Sequence, residues 1–350
     1  MYRKRILLII VLIGVIIGGI FTFQFYRVFF FSNTAFSESS AIVFIPSNAS
    51  MDTIVSRLKP LLKRPSNFLT AAQKKGFRRS KGGKYSIRQG MGNHQIINTL
   101  RSQNMPVRLT FNNQDNIYDL ASRISEQIEA DSTSLVTAFK DSLFLESNGF
   151  NENTILSMFV PNSYQMYWNT NATQFRTRMK DEFFSFWNPK RVEKAAAVGL
   201  TPLEVVALAS IVQKETVMVD ERPRVAGVYL NRLQRNMKLQ ADPTVIFAIQ
   251  KKNNDFNTVI KRVLNKDLKI NSPFNTYRYR GLPPGPISMP DISSIEAVLN
   301  PEKHRFLYLQ HTEPLDRFYR VLSHILIHLR LEKDFCRYPL LRFPLHRDNI

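Results

Sequence analysis

The stretch Thr201–Ile249 reads TPLEVVALASIVQKETVMVDERPRVAGVYLNRLQRNMKLQADPTVIFAI. Thr201 suits a helix cap, Pro202 suits the first helical position, and Glu204, three residues after the cap, completes a capping box. Val205, Leu208, Ala209 and Val212 then recur at i, i+3, i+4 and i+7, which predicts an amphipathic helix. At about 100° per residue Glu215 falls on the flank of the apolar face, while Lys214 points away from it. A carboxyl at such a boundary is partly desolvated, which raises its pKa toward values useful to a general acid. Taken alone, a Glu beside a Lys near a helix end is most often a solvated surface residue. Farther on, Asp220 is placed to cap a second helix starting near Glu221, with Val225, Val228, Tyr229 and Leu233 on its inner side. Asn231 and Arg232 fall at that helix's polar boundary, suited either to position a substrate or to tie two helices together. Asp242, just before Pro243, is expected to cap a third helix.

The chain has 350 residues, 44% of them hydrophobic and 22% charged, which fits a globular protein of two or three modules and excludes wholesale disorder. Its formal net charge of +20 favours anionic surroundings without choosing among phospholipid, wall polymer and nucleic acid. The amino terminus makes that choice. Arg3, Lys4 and Arg5 lie in a short tail, residues 1–5, and residues 6–26 then carry no charge. At 1.5 Å per residue that run makes about 31 Å of helix, enough to span a bilayer core. The run exceeds a signal-peptide core, and the basic cluster before it predicts a cytoplasmic amino terminus. Residues 27–40 are expected to form a tether, with the rest of the chain outside the membrane, so a nucleic-acid partner is not expected. A single cysteine, Cys336, excludes a disulfide scaffold, and no Cys/His cluster has zinc-ligand spacing, so no metal site is expected.

The strings ASIVQKET, ERPRVAGVYLNRL and LQADPTV, followed by SPFNTYRYRGLPPGPISMP at Ser272–Pro290, resemble the two signature blocks of the YceG-like endolytic murein transglycosylases. The blocks stand in that family's order and at about its spacing. The resemblance implies an α+β protein with a mixed α+β catalytic domain, here residues 106–309, in which Glu215 is the catalytic acid. Gln240 and Asp242 match signature positions and, with Asn231, become substrate-binding candidates. In the second block the prolines disfavour a regular helix, while Gly281 and Gly285 permit sharp turns. Such a rigid loop suits Asn275, Thr276 and Tyr277 either to holding a sugar chain or to wrapping a sheet edge.

A weak internal repeat precedes the catalytic domain. IPSNASMDTIVSRL from Ile45 and IRQGMGNHQIINTL from Ile87 both read strand, turn, amphipathic helix, with Ile54, Val55 and Leu58 matching Ile96, Ile97 and Leu100. These halves resemble a small LysM-like module, residues 41–105, which the family carries at this place and which implies binding of N-acetylglucosamine polymers. A fainter copy from Phe111 reads as an ordinary strand and helix. FVPNSYQMYW at Phe159–Trp168 is aromatic, and the family implies a cleft wall here, which makes Tyr164 a substrate-binding candidate. Its rings suit equally a core.

The implied reaction is cleavage of the MurNAc-GlcNAc β-1,4 bond inside a peptidoglycan strand, leaving a 1,6-anhydroMurNAc end, with one Glu as general acid and base and no cofactor. A hydrolase would instead need a second carboxyl, from Asp242 or Glu221. The implied place is the cytoplasmic (inner) membrane, single-pass, beside peptidoglycan synthases of the elongation machinery. A non-catalytic wall binder is the alternative. After Leu309 the family's His-x-Phe and Glu-His-Asn elements are missing, so the tail, residues 310–350, is read as divergent and out of frame with the ancestral gene.

Overall fold

The computed structural model describes residues 2–311 and 319–322. They fall into two units, the first running to residue 155 and resuming over 161–183, the second formed by 156–160 and the chain from 184. Residues 106–155 and 161–183, within the segment expected as the catalytic domain, thus group with the preceding module.

The first unit opens with α1 (Tyr2–Phe30), an apolar helix exposed up to Tyr26, with Arg27 and Val28 partly buried and Phe29 buried. It is long and apolar enough to cross a membrane. The helix runs past Tyr26, into the segment expected as a tether. Next come β1 (Ser40–Ile45), α2 (Met51–Leu58), α3 (Pro65–Lys74), β2 (Gly83–Arg88) and α4 (Asn93–Ser102). The strands of the two repeat copies pair with each other, antiparallel, with Val43 opposite Tyr85 and Ile45 opposite Gly83. Alternation sends Val43, Ile45, Tyr85 and Ile87 inward, where Ile54, Leu58, Ile96, Ile97 and Leu100 meet them. The repeat thus has a simple physical source, since both helices cover one two-stranded sheet. The sequence reading lacked α3, which supplies Phe68, Ala71 and Ala72 to the same core.

The unit continues with β3 (Pro106–Phe111), α5 (Ile117–Ser125), α6 (Ser132–Phe139), α7 (Ser142–Ser147), β4 (Asn162–Tyr167) and α8 (Ala172–Phe186). The aromatic segment read as a cleft wall is β4, antiparallel to β3, with Tyr164 opposite Leu109.

In the second unit α9 (Pro189–Ala197) and α10 (Pro202–Glu215) precede α11 (Arg222–Gln234), α12 (Asp242–Asn253), α13 (Ile292–Leu299), β5 (Tyr308–His311) and β6 (Tyr319–Leu322). The start of α10 is as expected: Thr201 Oγ1 accepts from the Glu204 amide at 3.3 Å, and the Glu204 carboxylate takes the Thr201 amide at 2.8 Å. Its middle is not amphipathic, because every residue from Val205 to Val212 is buried. The helix packs against α9, α11, α12 and α13 and forms the axis of the unit. Helix α11 starts at Arg222 with Glu221 as its cap residue, not with Asp220, and neither side chain caps it. Residues 310–350 lie largely outside the described residues, which there include only the backbone pairing of β5 with β6.

Candidate active site

Glu215 is the last residue of α10. The helix is enclosed up to Val212 and then meets solvent, so Lys214 is exposed and Glu215 half-buried. Burial pushes the Glu215 carboxyl up to about 7, and the nearby Asp242 charge adds to the rise. A hydrogen bond from Tyr229 and the Arg232 guanidinium oppose it. Its position at a helix carboxyl end, where partial negative charge gathers, works in the same direction as burial. A carboxyl with this pKa is present in both protonation states near neutrality and is suited both to give and to retake a proton.

Around Glu215 lies a cleft of about 540 Å³, lined by Lys214, Tyr229, Arg232, Gln240, Asp242 and Tyr277 among others. Asp242 is the first residue of α12, after the cap position held by Ala241. It does not cap that helix. Its carboxylate instead accepts the Tyr277 hydroxyl at 2.5 Å, and the Tyr277 pKa is raised by burial and by this bond. Gln240 has φ +48°, a left-handed conformation unfavourable for a residue with a Cβ. Its amide donates to Thr276 O at 3.2 Å and the next amide, Ala241, to Thr276 Oγ1 at 3.0 Å, which fixes the kink.

The proline-rich block adopts no regular helix or strand from Ser272 to Pro290 and lies along α10. Ser210 of α10 accepts the Ile287 amide at 3.0 Å, and Gln213 accepts the Asp291 amide. Of the candidates in this block only Tyr277 lines the cleft. Asn275 is fully buried, donating to Leu268 O and Ile270 O at 2.9 Å each while accepting the Tyr277 amide. Thr276 is buried against Thr244, with 2.8 Å between the hydroxyls. Both shape the loop that presents Tyr277.

Asn231 likewise ties structure together, its amide donating to His304 O and Phe306 O at 2.9 Å. Close packing there requires Gly227, since a Cβ would lie 2.6 Å from Glu302 O. Tyr164 lies in the first unit, buried and stacked on Phe111 at 5.5 Å between ring centres, so it is a core residue. Glu221 accepts the Thr216 hydroxyl at 2.7 Å and does not line the cleft.

The structure thus brings together Glu215, Gln240, Asp242 and Tyr277 and adds Tyr229 and Arg232. Tyr229 reads in sequence as one more inward residue of α11; only the crossing of α10 and α11 brings its hydroxyl to Glu215. Arg232 is buried, with Nε on Leu307 O and Nη1 on Leu239 O, both at 2.6 Å, which fixes its charge beside the carboxyls. Among the described residues no group of three or more His, Cys, Asp or Glu could hold a metal. A larger cleft, about 1440 Å³, lies in the first unit and contains none of the sequence candidates.

A half-buried acid with a raised pKa, held by a tyrosine and facing a second carboxyl–tyrosine pair, has the chemistry that proton transfer requires. The chain belongs to the YceG-like family, whose model matches residues 43–323, past Leu309, where the resemblance was expected to end. It is 28% identical over 296 residues to the endolytic murein transglycosylase of Bacillus subtilis (strain 168), covering 78% of this chain and 79% of that protein. It is 36% identical over 110 residues to the endolytic murein transglycosylase of Streptococcus pneumoniae serotype 2 (strain D39), covering 31% of this chain and 20% of that one. The crystal structure of a YceG-like protein from Listeria monocytogenes superimposes with a TM-score of 0.55 at 25% identity, over 84% of this chain and 99% of that one.

Proposed function

We propose that the chain is a membrane-anchored lytic transglycosylase that cuts MurNAc-GlcNAc β-1,4 bonds within peptidoglycan strands. The observation that carries this reading is Glu215, half-buried in the cleft with its pKa raised to about 7 and hydrogen-bonded by Tyr229. As the acid, Glu215 donates its proton to the glycosidic oxygen while the bond from that oxygen to C1 of MurNAc breaks. As the carboxylate, it then takes the proton of the MurNAc 6-hydroxyl while O6 bonds to C1. The products are a free GlcNAc hydroxyl and a 1,6-anhydroMurNAc end; no water is consumed and Glu215 returns to its acid form. Gln240, Asp242, Tyr277 and Arg232 bind the strand around this acid, and Tyr229 orients it. Asn231, Asn275 and Thr276 serve the site by fixing its walls.

Helix α1 supports a single-pass anchor in the cytoplasmic membrane, with the basic amino terminus inside and the cleft outside. The module from β1 to α4 supports the LysM-like reading through its two-stranded sheet covered by helices, and peptidoglycan synthases are natural neighbours of such an enzyme.

The test is digestion of purified sacculi by the full chain, wild type beside Glu215→Gln, with mass spectrometry of the released fragments. Anhydro ends from wild type and none from Glu215→Gln are expected. A second reading, hydrolysis with Asp242 as partner carboxyl, is favoured by the presence of Asp242 in the same cleft. It predicts reducing ends, and their dominance would overturn the transglycosylase reading. Pelleting with sacculi without any release would instead indicate a wall binder.

A further inference from the structure

Helix α1 does not end in a free linker. Phe29 is 5% exposed and belongs to the core of the β1–α4 module, with Val28 packed beside it. The last carbonyls of a helix lack partners within it. Here Asn93, the first residue of α4, donates to Val28 O at 2.7 Å and accepts from Asn33 at 2.8 Å. Asn33 in turn binds both the amide and the carbonyl of Arg64, at 2.8 and 3.0 Å. Gly92 seats the helix end, because a Cβ there would lie 2.6 Å from Phe30 O. Backbone bonds from Asn33 to Met91 and from Ala35 to Leu61 continue the attachment. The apolar helix and the module therefore meet without slack.

The module's charge is one-sided. Residues 41–105 contain twelve Lys and Arg and a single acid, Asp52, more than half of the chain's net charge of +20. Among the described residues no ion pair neutralises any of the twelve. Lys63 and Arg64 are exposed beside Asn33, a few residues beyond the end of α1. The Lys75 ammonium lies 3.2 Å from His94, whose ring stacks on Phe30 at 5.4 Å. A cleft of about 520 Å³, lined by Ser32, Thr34, Lys63 and Gln89, opens at the same junction. Tyr26, Phe30 and Phe31 are exposed there, the aromatic composition of a membrane–water boundary.

We propose that the module rests on the outer face of the bilayer, with Lys63 and Arg64 among anionic phospholipid head groups and the adjoining cleft receiving a head-group phosphate. The proposal rests on the reading of α1 as a membrane anchor. The seat holds these cations near the point where α1 would leave the bilayer, and polybasic segments are attracted to anionic lipid within a Debye length, about 10 Å at 0.1 M salt. A wall polymer offers the same sign of charge but has no comparable reason to meet the helix exit.

The test uses the full chain in nanodiscs of phosphatidylcholine alone or mixed with phosphatidylglycerol, in a Cys336→Ser background. A fluorophore on Ser66→Cys, an exposed position of α3, reports quenching by spin-labelled head groups. At least about threefold stronger quenching is expected in the anionic discs, falling to the neutral level in Lys63→Glu/Arg64→Glu or at about 0.5 M salt. The salt arm uses wild-type charges and does not depend on the folding of the double variant. Equal quenching in both disc types, or quenching indifferent to both treatments, would overturn the proposal. So would loss of sacculus binding on charge reversal without any lipid signal, which would assign the face to wall polymer. A fluorophore on Leu12→Cys with acyl-chain quenchers separates the two readings. If it is quenched while the Ser66 label is not, the anchor stands and only this proposal falls; if it is not, the anchor itself fails.

Discussion

The 1440 Å³ cleft of the first unit and the 540 Å³ cleft around Glu215 differ in a way that volume does not capture. The first-unit cleft is the larger, and its walls include the carboxylates of Asp131 and Asp141. Both are held below the usual carboxylate range, Asp131 by the backbone amide of Ser134 and Asp141 by the Arg176 side chain, so both stay ionised. That Ser134 amide lies at the start of a helix, and Asp141 likewise accepts a helix-start amide, of Phe144. The second-unit cleft is smaller, yet it holds a carboxyl whose pKa moves the other way. A carboxylate already occupied in capping a helix stays ionised, whereas the one at the exposed end of a buried helix has its pKa raised, and that difference is why the second-unit cleft carries the proposal.

That contrast breaks most easily at Glu215. Glu215→Gln should lower release of anhydro fragments about 10²- to 10⁴-fold, read by mass spectrometry. Loss confined to tenfold would remove the distinction between the clefts. Asn275→Ala leaves two partly buried carbonyls without their donor and should cost about 2 kcal/mol of stability in denaturant unfolding. A neutral result would free Asn275 for a substrate role. Tyr277→Phe removes one hydrogen bond to a carboxylate and should slow cleavage about tenfold with stability nearly unchanged.

The pH dependence sharpens the comparison further. If Glu215 must be protonated to act, activity falls as pH rises through about 7. Because the bond from Tyr229 lowers that pKa, Tyr229→Phe should move this limb to higher pH. The stability sign follows from the same shift. Between the ordinary value of 4.5 and about 7 the folded form binds the proton more tightly than the unfolded one, so stability declines as pH rises across that window. Glu215→Gln should flatten the decline in melting-temperature scans. At the small end, Asp141→Asn in the large cleft should leave cleavage within about twofold, the outcome for a residue whose loss affects a helix cap and an ion pair with Arg176.

Much of this was legible in the chain. The capping box at Thr201, the loop character of Ser272–Pro290 and the repeat over Ile54 and Ile96 depend on local rules and hold in the structure. What sequence periodicity missed is set by packing on several sides at once. Helix α10 reads as amphipathic because its apolar face is easy to see, but Ala207 and Ser210 are buried too, by the loop carrying Ile287 and by neighbouring helices. Tyr229 and Arg232 reach Glu215 from a separate helix, a relation without any spacing signature. Asn275, Thr276 and Tyr277 are adjacent in sequence, yet two turn inward and one outward, a choice made by hydrogen bonds to Leu268, Ile270 and Thr244.

The enclosure of α10 by its neighbours has a consequence for how the site tolerates change. The acid stands at the tip of a rod gripped along most of its length, with no joint between the rod and the tip. Enlarging Ala207 or Ala209 would therefore displace the Glu215 carboxyl as it strains the interior, so lesions remote from the cleft would disturb the proposed site before the fold gives way.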